Sequence, residues 1–178
     1  METRLGEARP GGAVSLADVR LLRRLRVGDA DALDEVWTRW KGPVWAVCRV
    51  MVANRTHAVQ LLARLYLDLS TQARGWPDDL PICCSFAGWL LERMSTELEL
   101  PVAGGIPAAI PAVTAAPDPG SASDRLGELP PELRLVYVVD LMFRCSAAMT
   151  AQASGWSEQD IRSARSAAAW RLVAVEGA

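Results

Sequence analysis

Two cysteines stand side by side at Cys83-Cys84, and two more, Cys48 and Cys145, lie far from them in the chain. Adjacent thiols can respond to redox conditions or bind a soft metal. A zinc site, however, needs four ligands at characteristic spacings, commonly cysteine with histidine. The single histidine, His57, is expected at the surface near a helix start, and there is no second spaced cysteine pair. No metal and no other cofactor is therefore expected, and Cys48 and Cys145 read as small buried hydrophobes. The carboxylates Asp78 and Asp79 are adjacent in a loop with no base or nucleophile to join them, and Ser146 and Ser163 lack a partnering base. No catalytic constellation forms, so no enzyme activity is expected.

The chain that must position these residues has 178 residues, 51% of them apolar and 22% charged. That composition is ordinary for a folded protein and excludes a wholly disordered, collagen-like or disulfide-scaffold chain. No apolar run is long enough to span a membrane. Met1 to Val14 mixes Arg, Glu, Gly and Pro without the apolar core of a signal peptide, so a cytoplasmic location is expected. Four cysteines fit a reducing compartment. Acids and bases are balanced 13 to 13 up to Leu100, and 8 to 6 from Pro101 onward. Neither half is a basic module, although nucleic-acid binders usually show a positive footprint.

The spacing of apolar residues predicts helices throughout. Ser15 can cap a helix carrying Leu16, Val19, Leu22 and Leu25; Asp29 can cap a second carrying Leu33, Val36, Trp37 and Trp40 on one face. Gly42-Pro43 marks a break or kink, after which Val44, Val47, Cys48 and Met51 continue the period. A third helix carries Ala58, Leu61, Leu62, Leu65, Tyr66 and Leu69. After the loop Gly75 to Asp79, a fourth carries Phe86, Trp89, Leu90, Met94 and Leu98. Residues 101–124 hold five prolines among many alanines and glycines, and read as a flexible linker between domains 15–100 and 125–178; residues 1–14 read as a disordered tail. Beyond the linker, Leu129-Pro130-Pro131-Glu132 opens a helix. A short alanine-rich helix ends at Gly155, and Ser157 caps a last helix with Asp160 three residues on. Helix, short glycine turn, helix is the helix-turn-helix pattern. Trp37, Trp40 and Trp89 are expected in the core of the first domain, and Trp156 and Trp170 in the packing of the second.

Taken together, residues 16 to 173 resemble bacterial RNA polymerase sigma factors of the extracytoplasmic-function type. The first half is similar to their region 2: Gly28-Asp29-Ala30-Asp31-Ala32-Leu33 followed by Val36-Trp37 and Trp40, and later Phe86-Ala87-Gly88-Trp89-Leu90, where the family opens its promoter-reading helix. The second half is similar to region 4 through Leu129-Pro130-Pro131-Glu132-Leu133-Arg134, then Ser146, Ala151, Gly155, Ser157, Ile161-Arg162-Ser163, Ala168 and Leu172. The resemblance implies an all-α fold of two small helical domains, a region 2-like bundle and a region 4-like helix-turn-helix. It also implies core RNA polymerase and promoter DNA as partners, or, if those contacts have decayed, an anti-sigma factor or other protein regulator; the lack of a long apolar run leaves no membrane partner expected.

The chain departs from the family where contacts are made. The family's clamp-gripping helix reads Ala-Glu-Asp-Leu-Val-Gln-Glu-Val-Phe; here the stretch is Ala58-Val59-Gln60-Leu61-Leu62-Ala63-Arg64-Leu65-Tyr66, with the acids gone and Arg64 in place of the last Glu. Complementarity to a basic clamp would be lost or reversed. The end of region 2 carries Glu92, Glu97 and Glu99, poor company for phosphates. In the last helix Arg162 and Ser163 match, Asp160 introduces an acid, Arg165 falls where an apolar residue is usual, and Ala167 and Ala169 fall where Arg is common.

Two uses of the scaffold follow. In a divergent sigma factor, Gln159, Arg162, Ser163 and Arg165 would contact the promoter. Gln60, Leu61, Ala63 and Arg64 would lie at the polymerase surface, and Trp76 would stack on opened DNA. In a degenerate sigma-like adaptor, the fold would serve protein–protein interaction with little or no DNA binding. Trp76 has a plainer alternative, which is to anchor its loop to the core.

Overall fold

The computed structural model describes residues 14–100 and 126–173. The tail before Val14 and the linker at 101–124 lie outside the described residues. The described chain is all-α, with no strand. The helices are α1 (Leu16–Arg26), α2 (Ala30–Met51), α3 (Arg55–Gln72), α4 (Ile82–Glu97), α5 (Pro131–Phe143), α6 (Ala147–Ser154) and α7 (Glu158–Val173), with a 3-10 turn at Ala73–Gly75.

Local chemistry sets these boundaries. Helix starts leave backbone N–H groups without partners, and short polar side chains accept them. Ser15 accepts from the Asp18 amide, Asp29 from those of Asp31 and Ala32, Asn54 from those of Thr56 and His57, and Ser146 from that of Met149. The Ser157 hydroxyl accepts from the Asp160 amide at 3.0 Å, so the expected cap forms. Gly155 ends α6 at φ +72°, a left-handed conformation that favours glycine.

Of the break or kink expected at Gly42-Pro43, the break does not form: α2 runs through to Met51 with Pro43 inside it. A proline inside a helix costs one backbone hydrogen bond. The helix is carried across it by the apolar stripe of Val36, Trp40, Val44 and Val47, all buried on the same face.

The two halves share one core. The hydrophobic cluster runs without interruption from Leu22, Val36 and Leu65 through Phe86 and Leu90 to Val139, Phe143 and Ile161. α4 packs most extensively against α6 and also against α5, while α5 packs on α2 and α7. Phe86, fully buried, is the hub: its ring lies 4.9 Å from Trp40, 5.1 Å from Trp89, 5.9 Å from Trp76 and 5.6 Å from Phe143 across the junction. Gly88 is what allows α4 and α6 to touch. A Cβ placed there would lie 2.6 Å from the carbonyl carbon of Ala153, closer than real Cβ atoms approach backbone.

Candidate functional site

The last helix sorts its residues by face. Ile161, Ala164, Ala167 and Ala168 are buried, whereas Gln159, Arg162, Ser163, Ser166 and Trp170 are exposed. The exposed positions recur at spacings of three and four, so they form one stripe along α7. Three of the four helix residues expected to contact DNA therefore share a solvent face. Arg162 is the cation of that face; its side chain is 71% exposed and pairs with Glu158 one turn before it. A phosphate would have to compete with that carboxylate.

Arg165 is placed elsewhere. It turns inward, 20% exposed, paired with Asp140 of α5 at 2.9 Å. It also donates to the Cys145 carbonyl at 3.0 Å and to the Thr150 hydroxyl at 3.3 Å. It pins α7 to α5 and α6, which explains how a cation can stand at a position where an apolar residue is usual. Trp170, expected in the packing of the second domain, is instead 59% exposed on the outer stripe.

The loop before α4 is tied down from both halves. Trp76 is 6% exposed, packed against Phe86 and Trp89. The Arg26 guanidinium donates to the Trp76 carbonyl at 2.7 Å and pairs with Asp78 at 2.8 Å. Asp79 accepts from the Gln152 amide of α6 at 2.8 Å. The adjacent carboxylates thus have separate positioning partners, and the Trp76 ring anchors the loop instead of presenting a face to solvent.

On α3 the four residues expected at a partner surface divide. Leu61 is buried and belongs to the core, while Gln60, Ala63 and Arg64 are exposed. Arg64 pairs with Glu97 of α4 at 3.1 Å. Val59, Ala63 and Leu67, four residues apart, make an exposed and largely apolar stripe beside them.

The cysteines show what sequence reasoning missed. Cys48 is alone in the core of the first half, where burial pushes its thiol up to about 12. Cys145 is buried as expected, yet it stands beside Cys83 and Cys84, and the three sulfurs lie within 4.8 Å of one another. The Met149 thioether is 3.7 Å from the Cys84 sulfur. Cys83 is held down to about 3, first by the hydrogen bond of Cys145 and then by that of Cys84. Cys84 and Cys145 are pushed the other way, Cys84 up to about 12: the Cys145 hydrogen bond lowers Cys84, but the hydrogen bond with Cys83 and burial outweigh it, and Cys145 is raised by its hydrogen bonds with Cys83 and Cys84 and by burial. No spacing rule joins residues so far apart in sequence; the only signal was the adjacent pair.

No protein-family model and no curated protein matches the chain. Among solved structures, it is similar to a chain in the structure of CnrH in complex with the cytosolic domain of CnrY. The TM-score is 0.62 at 17% identity, with 90% of this chain and 97% of that one covered. The chain shares that chain's fold. The likeness spans both halves, and the all-α architecture agrees with the sequence expectation. At that identity it establishes the fold and leaves partner and activity to chemistry. Among the described residues no helix is long and apolar enough to cross a membrane.

Proposed function

We propose that the chain is a sigma-like factor of bacterial transcription that joins core RNA polymerase and promoter DNA with divergent contacts. The observation that carries this is the stripe Gln159, Arg162, Ser163 on the free face of the last helix of a helix-turn-helix, within a sigma-like scaffold. A helix so presented can enter a major groove. The α3 stripe of Val59, Ala63 and Leu67, flanked by Gln60 and Arg64, is the surface offered to polymerase. Its character suggests an apolar contact where the family relies on acids. Trp76 is buried against Phe86 and Trp89 of its own half, so it is not offered to an opened strand as packed here.

A second reading, an adaptor that binds an anti-sigma factor or other regulator with little DNA contact, is favoured by one observation. Among the described side chains, the exposed stripe of α7 carries a single cation, Arg162, already paired with Glu158. Each phosphate contact adds to affinity and to salt dependence, so a single one supports only weak binding. The structural neighbour, seen in complex with another protein's cytosolic domain, is in keeping with a protein partner.

Promoter-fragment anisotropy in the presence of core polymerase, titrated with salt, separates the two. The proposal predicts salt-dependent binding whose log–log slope falls by about 1 in Arg162→Ala. Binding indifferent to Arg162→Ala, with a protein partner retained at high salt, selects the adaptor.

A further inference from the structure

The sulfur cluster at the junction of the halves has no part in the reading above and stands independently of it. α4 brings Cys83 and Cys84 in its first turn; the segment just before α6 brings Cys145, and α6 itself brings Met149. We propose that Cys83, Cys84 and Cys145 form a binding site for one soft d10 metal ion, Cu(I) in chemistry, which clamps α4 to α6.

The geometry fits without rearranging the fold. With metal–sulfur bonds of about 2.3 Å, three thiolates around one ion in a trigonal plane stand about 4 Å apart. The Cys83 and Cys84 sulfurs are 3.9 Å apart, and all three lie within 4.8 Å. Small side-chain rotations close the ring.

Donor type selects the ion. The ligand atoms are all sulfur, and the next soft atom is the Met149 thioether, 3.7 Å from Cys84. Thiolate and thioether together suit Cu(I). Zinc takes four ligands from cysteine, histidine and carboxylate, and a thioether is outside that set. The only histidine, His57, sits exposed at the start of α3.

The surroundings favour thiolate. The N-termini of two helices, α4 and α6, converge on the cluster, and the positive end of a helix dipole stabilises negative sulfur. Arg165 fixes the Cys145 backbone through its carbonyl at 3.0 Å. Cys84 and Cys145 are buried, while Cys83 is half-exposed and gives an ion its way in. A disulfide is a poorer use of the same atoms: it would pair two sulfurs and strand the third. Because the donors come from both halves, occupancy would hold the junction shut.

The test is anaerobic titration of the reduced full-length chain with Cu(I) against a competing chelator, with Zn(II) in a parallel arm. One Cu(I) per chain is expected, with a raised melting temperature on loading. Cys145→Ser and the half-exposed Cys83→Ser should each weaken uptake at least ~100-fold, more than loss of an outer-shell partner usually costs. Cys48→Ser should leave uptake unchanged. Circular dichroism reports whether each variant folds, and Cys83→Ser keeps the test open if Cys145→Ser does not. Absence of stoichiometric Cu(I) uptake overturns the proposal. So does uptake undiminished in the folded variants, or retention of Zn(II) in preference to Cu(I).

Discussion

α4 and α7 are helices of equal length with opposite fates. α4 is covered on nearly every side: Phe86 packs on Trp40 of the first half and on Phe143 of the second, while Cys84 and Gly88 meet Met149 and Ala153 of α6. α7 buries a narrow alanine and isoleucine stripe and leaves Gln159, Arg162 and Ser163 in solvent. In the sigma-like reading both helices address promoter DNA. The difference teaches that the packing covers them unequally: the outer face of α7 is open to solvent as it stands, whereas α4 lies under α6.

The strongest way to break this arrangement is at its hub. Phe86→Ala removes a fully buried ring contacting both halves and should cost about 3–5 kcal/mol in chemical denaturation. Gly88→Ala attacks the junction alone. Its new Cβ meets Ala153 backbone that cannot yield, so overpacking should cost about 1–3 kcal/mol. If α4 is restrained by α6, the same change should raise dye binding to exposed apolar surface before global unfolding. Unchanged stability would mean that the helices are not in contact in solution. Arg165→Met should sharpen the contrast within α7 itself. It leaves Asp140 and the Cys145 carbonyl without their guanidinium and should destabilise by about 1–3 kcal/mol. Arg162→Met, on the free stripe, should fall within about 0.5 kcal/mol of wild type.

The smallest expected effect is electrostatic. Asp29 caps α2 and is held below the usual carboxylate range, first by the Arg24 hydrogen bond and then by backbone amides. A carboxylate favoured in the folded state contributes stability that is present above its unfolded value near 4 and lost as pH falls through its lowered folded value. The acid limb of the stability profile should therefore be shallower in Asp29→Asn. An identical limb in the variant would show that the cap carries no charge-dependent part.

How much of this was legible in the sequence follows from the range of the interactions. Caps at Ser15, Asp29 and Ser157 could be read because the donor and acceptor are neighbours in the chain. The apolar stripes of α2 and α3 could be read because helical periodicity is local. At Pro43 a break and a kink read alike from sequence, and the helix does not break because tertiary burial of α2 outweighs one missing hydrogen bond. Arg165 and Trp170 exchanged their expected settings for the same reason: helix phase alone does not say which flank has neighbours, and α5 supplies an acid for Arg165 but nothing over Trp170. Cys145 joining Cys83 and Cys84 depends wholly on the packing of α6 on α4.

The central claim, that this scaffold acts as a sigma-like factor, is met most directly by mixing the purified chain with bacterial core RNA polymerase and following both complex formation and promoter-fragment retention. The account predicts a stoichiometric complex that retains promoter DNA, with retention reduced by Arg162→Ala. A chain that leaves polymerase and DNA alike unbound would contradict it.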